Sequence, residues 1–497
     1  MNITKKILFI TALLILFVLS SCGNDNNTSG ENADNLDMQN NNQENIGEAE
    51  IENADARMII SDDLPQSDFG GYTFRIYTYG EYLPGGLYDY APDSEIGEVI
   101  NDSVFRRNKT VEDRFNINIK TVDSNASDIS THADAVKRAV LSGDDAFDIA
   151  LVHCILGPNL TLENVAANLL DVPHFNFSKP WWQSQTNEEL TLFNKMFLGS
   201  NTIFYSGISS TKVVYFNKDR LAEYDMELPY QLVFDGKWTL DRLTEMTKGV
   251  YIDTNGDGER DRDDFYGYVS HSLQNGFFVS CDIPVLDKNN DVLTLVINNE
   301  KTTTFVNKMY DWYYNSEGVY VNEVASGWHT QKFADNQALF AYGFIRDAVN
   351  TFRASDISYG ILPQPKYDEN QASYRAFSVD EFFIIPQTTE GESLTRTGII
   401  IEAMSAEGYK QILPAYYEIA LKNKYLHDEE SVQILDLIND NRTISFAYVY
   451  DNWEGFGHMF SHLFTRRPSS DFISFYERRA GMAEGRIDAI NRGFGGG

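Results

Sequence analysis

The stretch Thr211–Tyr268 constrains this chain more than any other. It opens on an apolar run of strand type, Val213-Val214-Tyr215-Phe216, that turns polar at Asn217. Thr239 then stands ahead of Leu240, Leu243 and Met246, a capped helix start with apolar residues at helical spacing. Upstream, Tyr72–Tyr79 alternates like a strand, with Phe74 and Ile76 against Arg75 and Tyr77. Residues 98–115 place Ile100, Val104, Val111 and Phe115 near one helical face. Residues 117–121, 132–141 and 147–152 read as strand, helix and strand. Strand, helix, strand, helix, strand at this spacing predicts a parallel α/β lobe.

The constraining stretch closes on a twelve-residue acidic loop, 253–264. Asp253, Asn255 and Asp257 offer side-chain oxygens at loop positions 1, 3 and 5, and Gly258 takes the sharp turn at 6. Glu259 offers its carbonyl at 7, Asp261 stands at 9, and Asp264 closes at 12, where Glu is usual. Oxygen chemistry at this spacing predicts a structural Ca2+ site; the other reading is a solvated acidic turn. No nucleotide or organic cofactor is expected.

At 497 residues the chain is too long for one ordinary core and suits two lobes with an appended tail. A formal charge of −33 repels nucleic acid and anionic membrane, so a neutral ligand is easier to reconcile with it. Lys5 and Lys6 precede an apolar run of targeting type, and Leu19-Ser20-Ser21-Cys22 resembles a bacterial lipobox. Residues 1–22 are therefore expected to be a lipoprotein signal peptide with Cys22 lipidated, tethering the protein outside the cytoplasm. Residues 23–68 hold no aromatic and much Asn and Glu, and are expected to form a disordered tether. Cys154 and Cys281 read as free, partly buried thiols.

In parallel sheets ligands bind beyond the carboxyl ends of the strands. That singles out Tyr79, Glu81 and Tyr82 after the first strand and His153 after the third, although His153 also fits a structural imidazole. Trp181 and Trp182, on a loop after Pro180, suit stacking on a sugar ring or packing on a core. Trp328, after Gly327, is a further contact candidate.

Taken together, VVYFNKDRL, PYQLVFDGKWTLDRL, DTNGDGERDRDDFYGY, KPWW, FADNQALF and YGILP resemble the extracellular solute-binding proteins of ABC importers, in the sugar-binding group that includes maltose-binding protein. The resemblance covers roughly residues 69 to 480. It implies a two-lobed periplasmic-binding-protein-like α/β fold, each lobe a mixed or parallel sheet flanked by helices, with a helical C-terminal region. It implies crossings between lobes near 213–217 and 380–386, with 69–212 plus 335–380 as lobe 1 and 213–334 plus 381–497 as lobe 2. Tyr342 would close a strand facing the cleft, and Asp380 and Glu381 would either accept sugar hydroxyls or hold the hinge. The implied function is capture of a mono- or oligosaccharide by a monomer and delivery to a membrane permease, without catalysis. A secreted glycoside hydrolase or lyase and a noncatalytic polysaccharide-binding surface lipoprotein are the alternatives. Against the first, no carboxylate pair singles itself out.

Overall fold

The computed structural model describes residues 56–79, 90–271, 275–288, 292–322, 327–378, 381–421, 429–451 and 455–495. Residues 53–497 make one compact unit. Its first sheet is built as the sequence leads one to expect. β1 (Tyr72–Thr78) buries Phe74 and Ile76. The helix Val99–Phe115 starts where the Glu98 carboxylate accepts the Asn101 amide, and it stops at Asn116, which turns left-handed with φ 50°. β2 (Ile117–Asp123) follows at once. The helix Ile129–Ser142 is capped by Asp128 and ended by Gly143 at φ 76°, a conformation that favours glycine. β3 (Ile149–His153) then returns to pair parallel with β1 on the side away from β2.

The second sheet is organised around β4 (Lys212–Asn217), all six residues of which are buried. The remaining strands in chain order are β5 (Tyr251–Ile252), β6 (Phe265–His271), β7 (Leu286–Asp287), β8 (Thr294–Leu295), β9 (Val319–Asn322), β10 (Ala338–Phe344), β11 (Tyr359–Pro363), β12 (Ala376–Phe377), β13 (Glu381–Ile384) and β14 (Arg442–Thr443). β4 runs antiparallel between β10 and β11, so both of its backbone edges are hydrogen-bonded. The order is β11-β4-β10-β6-β5, with β9 also paired to β6. The first sheet has the order β13-β3-β1-β2.

This pairing corrects the expected division into 69–212 plus 335–380 and 213–334 plus 381–497. β10 and β11, assigned by resemblance to the first lobe, belong to the second sheet because β4 needs a partner on each side. β13 belongs to the first sheet, antiparallel to β3. The tether expected over 23–68 is also corrected at its end. Asp62 is buried and paired with Arg114, Asp63 pairs with Lys179 at 2.7 Å, and Arg57 pairs with Asp436 at 3.2 Å. These ion pairs pin the segment, and Ile60 and Leu64 pack half-buried against the core; the partners all lie far along the chain, which is why composition hides it.

Two segments pass side by side between the sheets. Thr211, just ahead of β4, bridges antiparallel to Ser378, and the Ser378 hydroxyl donates to the Gly207 carbonyl at 2.7 Å. β12, which leads into Ser378, is held by β14 from the C-terminal region. The helix Gly391–Leu421 continues through Pro414 instead of breaking there, and packs on Val99–Phe115. The helix Glu429–Asp440 packs on β11, so the C-terminal region serves both halves. Cys154 and Cys281 are free and buried. Among the described residues no helix is long and apolar enough to cross a membrane.

Candidate ligand site between the sheets

The first sheet brings three of the expected residues together. His153 ends β3 and lies directly opposite Glu381, the first residue of β13. Tyr79, just past β1, is 1% exposed; its ring sits 4.0 Å from that of His132, and its hydroxyl has no partner among the described residues. Burial, with the Glu381 charge adding to it, pushes its pKa well up, so the phenol stays protonated. Tyr90 donates to the Glu381 carboxylate at 3.3 Å. Burial lowers His153 to about 4, leaving a neutral imidazole at physiological pH.

The second sheet supplies a polar group that sequence reasoning missed. Lys212 opens β4 at 4% exposure, with its ammonium 3.9 Å from the centre of the Phe377 ring and 5.4 Å from that of Phe344. Burial drives its pKa well below the ordinary lysine value. His271 ends β6; its ring lies 5.1 Å from those of His329 and Tyr342. Burial lowers His271 to about 3 and His329 to about 4. Gly276 lets Lys212 and Gln364 close in: a Cβ there would lie 2.7 Å from the Lys212 chain and 2.6 Å from the Gln364 amide oxygen. The Tyr342 hydroxyl, His329 Nε2, both Gln364 amide atoms and Asn275 Oδ1 are buried without partners among the described residues. The Thr211–Ser378 bridge and the Lys212–Phe377 contact, four residues ahead of Glu381, tie the two sheets' ends to one locus.

Of the remaining expected contacts, Trp328 is half-buried at the start of the helix Trp328–Ala334, its ring 5.2 Å from that of Tyr320 and next in sequence to His329. Tyr342 lies within the Lys212–His271 group. Trp181 and Trp182 do not. Both are buried in the first half, and their indole nitrogens donate to the two oxygens of Glu402, at 2.8 and 2.9 Å. Their expected stacking role therefore gives way to packing around a buried carboxylate. Glu81, Tyr82, Asp380 and Cys22 lie outside the described residues. Lys212 carried one sequence signal, a lysine directly ahead of the apolar run Val213-Val214-Tyr215-Phe216. Nothing local marked Gln364 or His271.

Beside this locus the halves also meet through charge. Glu189, on the helix Ser184–Leu190, pairs with Arg375 at 2.8 Å and with Lys288 at 3.8 Å. Lys288 also donates to the Glu188 carbonyl at 3.1 Å. These side chains line a cavity of about 150 Å³ together with Asp282, Phe278 and Phe446.

In the acidic loop, Gly256 and Gly258 are both left-handed at φ 75°. Asp253 accepts the amides of Gly256 and Gly258, Asn255 that of Asp257, and Asp257 that of Glu259. Asp264 is fully buried and accepts from Tyr251, Thr254 and Asp261. The Asp261 carboxylate accepts the Asp263 amide. Among the described residues no group of three or more His, Cys, Asp or Glu side chains is gathered as a metal ion requires. The loop thus has the turn of a calcium loop, with its carboxylates spent on backbone amides.

Two open α/β sheets joined by adjacent crossings, with a shared C-terminal region, make a two-lobed fold, and the chain shares it with solved binding proteins. No family model matches the chain, and no curated protein matches it. Among solved structures it is similar to UgpB from Mycobacterium tuberculosis in complex with glycerophosphocholine, with TM-score 0.54 at 14% identity over 84% of this chain and 99% of that one. A cyclo/maltodextrin-binding protein complexed with maltotetraose gives TM-score 0.54 at 11% identity, over 86% and 98%. The galacto-N-biose/lacto-N-biose I-binding protein of an ABC transporter from Bifidobacterium longum gives 0.52 at 11%, over 85% and 99%.

Proposed function

We propose that this chain is the solute receptor of an ABC importer, capturing a carbohydrate between its two halves and handing it to a membrane permease. The observation that carries this reading is the convergence of Tyr79, His153 and Glu381 from one sheet and Lys212, His271 and Tyr342 from the other, where the sheets' crossings lie side by side. The fold likeness to receptors crystallised with maltotetraose and lacto-N-biose supports it. The hydrolase and adhesin alternatives gain nothing from that likeness. In this reading the ligand enters when the halves part, bonds to polar groups of both, and stabilises the closed form by its differential affinity for it. It leaves with its bonds unaltered.

The receptor works as a monomer, held to the outer face of the cell membrane by lipid on Cys22. Calcium on the 253–264 loop is part of the same proposal: the oxygen spacing and the two left-handed glycines support it, and binding would turn the carboxylates away from the amides they now hold. A thermal-shift screen of oligosaccharides, followed by product analysis, tests the reading. Stabilisation by a saccharide recovered intact is expected; turnover of that saccharide would overturn it.

A further inference from the structure

Lys212 is a buried basic group at this locus with no opposite charge among the described residues, so an anion seated beside it would favour its protonated form. Among the described residues no carboxylate pairs with its ammonium, which faces the rings of Phe377 and Phe344. Aromatic faces attract a cation less strongly than water does, so burial there needs a further partner. The nearby acids are committed elsewhere: the Asp347 carboxylate accepts the Phe344 amide at 2.7 Å, and Glu381 accepts from Tyr90. Arg346 adds a second cation, stacked 3.9 Å from the Phe344 ring and donating to Ser210 at 3.1 Å. The same locus holds buried groups with unfilled hydrogen bonds, namely the Tyr342 hydroxyl, the Gln364 amide and Asn275 Oδ1. Buried polar groups in folded proteins are satisfied, so these imply a partner that brings both donors and acceptors.

We infer that the captured saccharide carries an anionic group, a carboxylate or a phosphate, which seats on Lys212 while Tyr342, Gln364 and Asn275 take adjacent hydroxyls. This rests on the receptor reading and narrows it. A chain of net charge −33 repels polyanions at long range, so the anion is a single group matched to one buried cation. The uncharged saccharide anticipated from composition is replaced by one with a charge at one position.

The test is calorimetry on the full chain with galacturonate, its methyl ester, glucose 6-phosphate, and maltotriose as the neutral control. Binding of galacturonate or glucose 6-phosphate is expected, and the two arms separate a carboxylate from a phosphate. With the carboxylate, the methyl ester on unaltered protein should bind about thirtyfold more weakly or worse. With either, Lys212→Met should lose a similar factor and Lys212→Arg recover part of it. Binding of maltotriose unaffected by Lys212→Met would overturn the anionic group and leave the receptor reading standing. Failure of all four probes to bind would overturn the inference, while the intact-saccharide screen would still decide the receptor reading by itself.

Discussion

Thr211 and Ser378 face each other in an antiparallel bridge, one on each of the two segments that pass between the sheets. Thr211 and Ser378 also share an acceptor: both hydroxyls donate to the Gly207 carbonyl, each at 2.7 Å. The crossings are thus tied together at one backbone atom, and any bending of the halves must work around it. Ser378→Val removes one tie. We expect a loss of about 1 kcal/mol in denaturant unfolding and a more open average shape in solution scattering. Unchanged scattering would mean that bending does not occur at this bridge.

Glu189 grips the other half through Arg375 and Lys288, all three side chains about a quarter exposed. Partly solvated ion pairs contribute modestly, of order 0.2–1 kcal/mol. Glu189→Gln should therefore weaken ligand binding by about two- to fivefold, mainly through faster release, with little change in melting temperature. Salt should weaken binding more in the unaltered protein than in the variant.

Glu402 should make the fold weaken as pH rises. Burial pushes its pKa up from 4.5 to about 7, although the indoles of Trp181 and Trp182 and the Asn176 amide pull the other way. Between those two values the folded chain keeps a proton that the unfolded chain has released, so stability falls with pH across this window and levels off above it. The shift corresponds to about 3 kcal/mol between pH 4 and 8. Asp451 and Asp347, also raised by burial, act in the same sense, so Glu402→Gln should remove only part of the slope. Urea midpoints across pH check this, and Trp182→Phe should lower stability without altering ligand affinity.

Much of this architecture was legible because its signals are local. Thr239 accepts the Arg242 amide as expected of a cap, and β4 is buried throughout, as its apolar run requires. Lobe membership was not legible. Which sheet takes β10 and β11 depends on the hydrogen-bonding needs of β4, satisfied by residues more than a hundred positions away. The tryptophan pair misled for the same reason, since Glu402 lies 221 and 220 positions from its donors. Tyr79 and His153 could be named because strand ends can be read from sequence, and Glu381 was named only through the family resemblance. Lys212 could not be named, because its surroundings come from Phe344 and Phe377.

Calcium binding to the acidic loop should stabilise the protein by about 2.7 kcal/mol at a hundred times Kd. Asp257→Ala should abolish that gain while leaving the chelated protein's melting temperature nearly unchanged, because Asp257 is exposed. An equal melting temperature with and without millimolar calcium would remove the metal from the account.

The most direct test of two halves closing on a ligand is a distance measured between them. Leu141, on the helix Ile129–Ser142, and Leu228, after β4, are 60% and 42% exposed, while Cys154 and Cys281 are buried. With Cys22→Ser, Leu141→Cys and Leu228→Cys, dye pairs can be placed on the two halves for single-molecule energy transfer. The account predicts two distance populations, with a saccharide ligand filling the shorter one. A single distance that stays the same at saturating ligand would contradict it.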